Sequence, residues 1–233
     1  MRPVDRGESP KEEDGSARIY TSYGKARRDL IDRMGQYCSY CNQKLPASLA
    51  VEHVQPKSLF PALELEWENF LLACTNCNST KGNKPLNLND YLWPDVHNTD
   101  LAFVYTQDGK VHVNTNLNSQ LQQKAQNLLD LVGLEKYEDN YTASDRRWKN
   151  RKNTFSKVAE SLKLFESALS KGAGEEFTNV LGNYASENGF FSIWLQIFTN
   201  YPQVRKKIIQ SFVGTAANAF DINTNAISRT DEL

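Results

Sequence analysis

The chain has 233 residues, 39% of them hydrophobic and 24% charged, the composition of a globular protein of one domain or two small ones. No apolar run reaches the roughly 18 to 20 residues that span a bilayer, and Met1-Arg2-Pro3-Val4-Asp5-Arg6 has no apolar stretch behind its charges. The expectation is a cytoplasmic protein without membrane anchor or signal peptide. With 27 basic against 28 acidic side chains the net charge is −1, evenly divided along the chain, so a broadly basic exterior is excluded and any phosphate-binding surface must be local.

Residues 1–20 are rich in charge, Gly, Ser and Pro and are expected to form an extended or disordered arm. Over residues 25–34, Ala26, Leu30, Ile31 and Met34 share a helical face that Gly35 can close. A cysteine-rich segment runs from 38 to 84. Residues 101–105 and 110–113 are rich in β-formers and flank Asp108-Gly109, a hairpin signal. Beyond them the chain reads as helices. Leu121, Ala125, Leu128, Leu129 and Val132 share a face closed by Gly133, and Trp148, Phe155, Val158, Leu162, Phe165 and Leu169 recur along a longer helix that Ser144 can cap. Residues 190–198 are almost all apolar and predict a buried helix, and Pro202 opens another running to 213. The fold class expected is α+β, mainly α, with an arm over 1–20, a metal-bound domain over 21–114 and a helical domain over 115–233.

All four cysteines fall in two like-spaced pairs, Cys38-Ser-Tyr-Cys41 and Cys74-Thr-Asn-Cys77, the arrangement from which two knuckles build a tetrahedral four-thiolate zinc site. Two disulfides would use the same residues, but a reducing compartment disfavours them, and buried free cysteines are the remaining reading. A site whose four positions are all filled by protein is structural, so chemistry must come from neighbours. Between the pairs stands Val51-Glu52-His53-Val54, ending before Pro56, and after the second pair come Asn78 and Lys81-Gly82. If Cys74 opens a helix, Cys74, Asn78 and Lys81 lie on one face. Adjacent strand residues point to opposite faces, so Glu52 and His53 can serve one site only if the strand ends or bends there.

Cys-x2-Cys, Val-Glu-His-Val-x-Pro and Trp67-x-Asn69-Phe70-Leu71-Leu72-Ala73-Cys-x2-Cys-Asn-x2-Lys-Gly together resemble the HNH, or ββα-metal, endonuclease superfamily in residue type, order and spacing. The resemblance implies a ββα-metal core with four-Cys zinc knuckles. It casts His53 as general base, Asn69 as the residue that orients it, and Glu52 with Asn78 as ligands of a catalytic Mg2+ or Mn2+. It implies phosphodiester hydrolysis leaving 5′-phosphate and 3′-hydroxyl ends, on DNA by preference with RNA possible. Glu52 replaces a more frequent Asp, and Asn78 stands where His also occurs, so metal preference stays open.

The opening Met1-Arg2-Pro3-Val4, the run Tyr37-Cys38-Ser39-Tyr40-Cys41 with Leu45-Pro46, Trp93-Pro94-Asp95 and the helical second half are similar to the HNH component of Septu-type anti-phage defence systems, which also accompanies some retrons. That resemblance implies an ABC- or SMC-like ATPase partner. A stand-alone restriction or homing-type DNase and a non-catalytic zinc-knuckle module are the alternatives. Lys81, Arg147, Lys149, Arg151 and Lys152 are the candidate nucleic-acid contacts, against the bland reading of a solvated helix face. His97, in Trp93-Pro94-Asp95-Val96-His97, follows the motif closely and is a candidate contact to substrate or metal, against the reading of a structural loop histidine.

Overall fold

The computed structural model of the protein describes residues 1–137 and 145–233. The helix cap expected at Ser144 lies outside the described residues. The architecture is mainly helical with two small antiparallel sheets. A 3-10 turn at Tyr23–Ala26 leads into α1, Arg27–Met34, and then come β1, Ala50–His53, β2, Phe70–Ala73, and α2, Thr75–Lys81. The second hairpin is β3, Phe103–Tyr105, with β4, Val111–Val113. The helices α3, Ser119–Val132, α4, Arg147–Ser170, α5, Gly174–Asn188, α6, Phe191–Ile197, and α7, Pro202–Ser211, complete the chain. None is long and apolar enough, among the described residues, to cross a membrane.

The local chemistry that sets these elements is conventional. Gly35, at φ 73°, ends α1 with its amide on the Ile31 carbonyl. Asn118 caps α3, its side-chain oxygen accepting from Leu121 N at 2.9 Å, and Gly133 closes the same helix in the left-handed region. α6, expected as a buried helix, buries Phe191, Ser192, Ile193, Trp194 and Leu195, with Trp194 stacked on Phe198 at 6.4 Å between centroids. β1 and β2 pair so that Val51 faces Leu72, Glu52 faces Leu71 and His53 faces Phe70. β2 reads Phe-Leu-Leu-Ala and is buried on both faces, with α1 packed against it inside the apolar core.

Residues 1–20, expected as an extended or disordered arm, contain no helix and are packed at several points. Met1 to Val4 are buried, Val4 bridges Thr215, and the Trp67 indole donates to the Gly7 carbonyl at 2.9 Å. The Arg2 guanidinium is itself buried and donates to the Met34 carbonyl at 2.7 Å and to carbonyls at the end of α7. A single buried apolar cluster runs from these residues through the sheet to α7, across the boundary expected near residue 114.

Two glycines mark where the second half presses on the first. Gly189, at φ 73°, would place a Cβ 2.7 Å from Lys44 N and 2.8 Å from the Asn42 carbonyl, so the turn between α5 and α6 lies directly against the loop after Cys41. Gly109, in the β3–β4 turn, would place one 2.5 Å from the Trp148 carbonyl of α4.

Candidate active site and metal centre

The two Cys pairs converge. Their four Sγ atoms are all buried and lie within 4.8 Å of one another, with no disulfide between them. The Cys41 and Cys74 sulfurs are 3.8 Å apart, which is the edge of a tetrahedron built on metal–sulfur bonds of about 2.3 Å. The first pair sits in a turn closed by Asn42, at φ 58°, whose amide donates to the Cys38 carbonyl, and Ser39 N hooks the turn onto Leu72 of β2. The second pair belongs to the start of α2, where Cys74 is the N-cap and its sulfur accepts from Cys77 N at 3.4 Å. Hydrogen bonds from the Cys38, Cys41 and Cys77 sulfurs hold Cys74 far below the usual thiol range, while contacts within the cluster and burial push Cys41 and Cys77 up, so the negative charge of the four sulfurs settles on Cys74. The donor set fits a four-coordinate metal ion.

The same helix carries the second constellation. Glu52 and His53 from the end of β1, with Asn78 and Lys81 from α2, line one cleft of about 170 Å³ together with Tyr23 and Lys57. β1 ends at His53 and the chain bends at once, which lets neighbouring strand residues serve one cavity. The His53 ring is edge-on to Tyr23 at 5.0 Å and to Phe70 at 5.3 Å between centroids. Its Nε2 lies 2.9 Å from the Glu64 carbonyl oxygen. A carbonyl can only accept, so Nε2 carries the hydrogen and Nδ1 keeps the lone pair. Burial lowers the His53 pKa, with the Glu64 carbonyl acting the other way, which favours the neutral, basic form of the ring.

Asn69 acts on His53 through backbone and not through the ring. Its side-chain oxygen accepts from Gln55 N at 2.8 Å, and its amide donates to the carbonyls of Gln55 at 3.0 Å and Leu63 at 3.1 Å. It thereby ties both ends of the 54–64 loop whose Glu64 carbonyl holds the imidazole. Glu52 is paired with Lys81, Nζ to Oε1 at 2.7 Å, and the same ammonium donates to the His53 carbonyl at 2.7 Å. Burial pushes the Glu52 carboxyl above its usual range against the pull of Lys81. The oxygens of Glu52 and Asn78 are hard donors of the kind a Mg2+ or Mn2+ ion takes, so the residues present fit such an ion.

Several expected contacts stand elsewhere. Lys81 is 1% exposed and engaged with Glu52 and His53, so it is a positioning group and not a surface contact for phosphate. Arg147 and Arg151 are each 2% exposed, with donors directed at internal carbonyls, Asp145 and a cysteine sulfur. The expectation that they track phosphates is therefore corrected. Lys149 and Lys152 are exposed. His97 does not line the His53 cleft: its Nδ1 accepts from Trp93 N at 3.0 Å, and it borders a larger cleft of about 700 Å³ with Arg6, Asn69, Trp93 and Glu232. Tyr23, Lys57 and Glu64 form part of the site without a signal in the motif. Lys57 lies over the Tyr23 ring at 4.2 Å and pairs with Glu64 at 2.8 Å, contacts that only the folded loop creates.

The same stretch is the one that comparison with known proteins picks out. A curated relative, "Septu protein PtuB" of Bacillus thuringiensis, is 36% identical over 56 residues, 23% of this chain and 22% of that protein. The matched segment thus spans less than a quarter of the relative's length. Residues 38–84, from the first metal-site cysteine through β1, β2 and α2, match the family model described as HNH endonuclease, and the chain carries an HNH endonuclease domain there.

Proposed function

We propose that this protein is a metal-dependent endonuclease that hydrolyses phosphodiester bonds of nucleic acid, DNA in preference to RNA, as the effector of an anti-phage defence complex with an ABC- or SMC-like ATPase partner. One observation carries the catalytic reading. The carbonyl of Glu64 fixes the His53 tautomer so that Nδ1 is basic, in the same cleft as the oxygens of Glu52 and Asn78.

In this reading His53 Nδ1 takes a proton from water as its oxygen attacks phosphorus. The bond from phosphorus to the 3′ oxygen breaks, that oxygen takes a proton from solvent, and the ends left are 5′-phosphate and 3′-hydroxyl. Asn69 holds the loop that keeps the imidazole oriented, and Lys81 fixes both the Glu52 carboxylate and the His53 backbone. Glu52 and Asn78 would hold a Mg2+ or Mn2+ ion, which would supply positive charge to offset that developing on the phosphate and the leaving oxygen. A Zn2+ ion on Cys38, Cys41, Cys74 and Cys77, with all four positions filled by protein, is structural.

Similarity to the Septu protein supports the defence role, and the net charge of −1 supports a partner that delivers or gates the substrate. The test is cleavage of duplex DNA, single-stranded DNA and RNA by purified protein with Mg2+ or Mn2+, alone and with the proteins encoded beside it. His53→Ala is the control in each case. Cutting that needs both His53 and a companion supports the whole reading. Cutting by the isolated chain favours a stand-alone DNase, and equal behaviour of wild type and variant leaves a binding module.

A further inference from the structure

The basic stretch that opens α4 has a destination inside the protein. Arg147 directs Nη1 at the Cys77 sulfur, 3.1 Å away, and at the Val132 carbonyl, 2.7 Å away. Its Nη2 meets the Gly133 carbonyl at 2.9 Å, and Asp145 takes the fork from the other side, at 2.6 Å to Nη2 and 2.8 Å to Nε. One turn later Arg151 is equally buried, and its hydrogen bonds go to the neutral carbonyls of Gly109 at 2.8 Å and Leu134 at 3.0 Å, with its Nη1 making none.

We propose that Arg147 is a positioning residue for the four-cysteine metal centre, its guanidinium hydrogen-bonded to the Cys77 sulfur so as to hold the thiolate cluster together and blunt the reactivity of its sulfur. The proposal rests on the reading of that centre as a zinc site. Four thiolates around a dication leave two negative charges in a buried place, and buried charge is stable only when paired and hydrogen-bonded. Among the described residues Asp145 is the carboxylate at Arg147 and neutralises one guanidinium, while the hydrogen bonds of Arg151 go to carbonyls. An N–H donor on a metal-bound sulfur draws electron density from it, which slows both metal loss and attack by oxidants. Because Arg147 also satisfies the last carbonyls of α3, one side chain joins the second knuckle, the end of α3 and the start of α4.

The experiment compares wild type, Arg147→Gln, Arg147→Lys and Arg151→Gln in the full chain. Zinc content is measured first. Release of zinc to a chromogenic chelator under hydrogen peroxide is then followed for variants whose circular dichroism matches wild type, and the thiolate-to-metal charge-transfer band is recorded after substitution with Co2+. The expected result is zinc loss at least about tenfold faster in Arg147→Gln, with a displaced band, since partners of metal ligands typically contribute 10- to 100-fold in affinity. Arg147→Lys, which keeps the charge but not the planar fork, should fall between, and Arg151→Gln should keep the wild-type band. A folded Arg147→Gln or Arg147→Lys with the wild-type rate and an unmoved band overturns the proposal. A wild-type chain that folds without zinc overturns the zinc reading instead, so the two failures are distinct.

Discussion

His53 owes its role to one carbonyl. With Nε2 held by Glu64, the free nitrogen is decided before substrate arrives, and His53→Ala should lower cleavage by about 10²- to 10⁴-fold, the span of a general base, in a variant that circular dichroism shows to be folded at the assay temperature. Asn69→Ala removes three hydrogen bonds that tie the 54–64 loop, so kcat should fall with little change in KM while unfolding in denaturant shows a loss of about 1–3 kcal/mol. Lys81→Met strands the buried Glu52 carboxylate, and breaking such a pair costs about 3–5 kcal/mol, read in the same denaturant titration. The cysteines, His53, Asn69 and Asn78 were legible in sequence because their chemistry and spacing are unusual. The fate of Arg147 and Arg151 was not, since a helix bearing basic residues at every turn reads the same whether they face solvent or a buried anion. The deciding partners, Cys77 and the ends of α3, are distant in the chain.

Among the elements, α1 and α3 follow from apolar periodicity closed by glycine, α4 from apolar periodicity, α6 from an almost wholly apolar run and α7 from the proline that opens it. β2 and α5 had no comparable signature. Phe70 to Ala73 are all buried and show no alternation, and α5 presents Val180 and Tyr184 outward, which blurs its apolar face. The turn that joins α5 to α6 lies against the loop that follows the first knuckle. Gly189→Ala should therefore destabilise the protein by about 1–3 kcal/mol, through both the left-handed backbone and the clash with Lys44 N, measured as a fall in the melting temperature. The short α2 has the knuckle at its first turn and Lys81 at its last, so metal and catalytic cleft share one rigid element. Stripping the metal with a strong chelator should remove helical signal and cleavage together, because structural zinc can contribute on the order of 10 kcal/mol to a small domain.

For the molecule as a whole, the net charge of −1 understates how little positive charge faces solvent. Among the described residues Arg2, Lys81, Arg147, Arg151 and Arg205 are buried, against Glu52 and Asp145 among the acids, so the exterior is more negative than the total. Duplex DNA should bind the isolated chain no more tightly than about 10⁻⁴ M at physiological salt in a fluorescence-anisotropy titration, the weak end of non-specific affinity. The apolar cluster that crosses residue 114, together with Arg2 clamped between the ends of α1 and α7, has a consequence for how the chain can be divided. Cut there and expressed apart, neither fragment has a complete interior, and each presents to water the surface the other would cover. Co-expressed, the two pieces should reassemble without a covalent link, as halves of one fold do and independent modules joined by a tether do not.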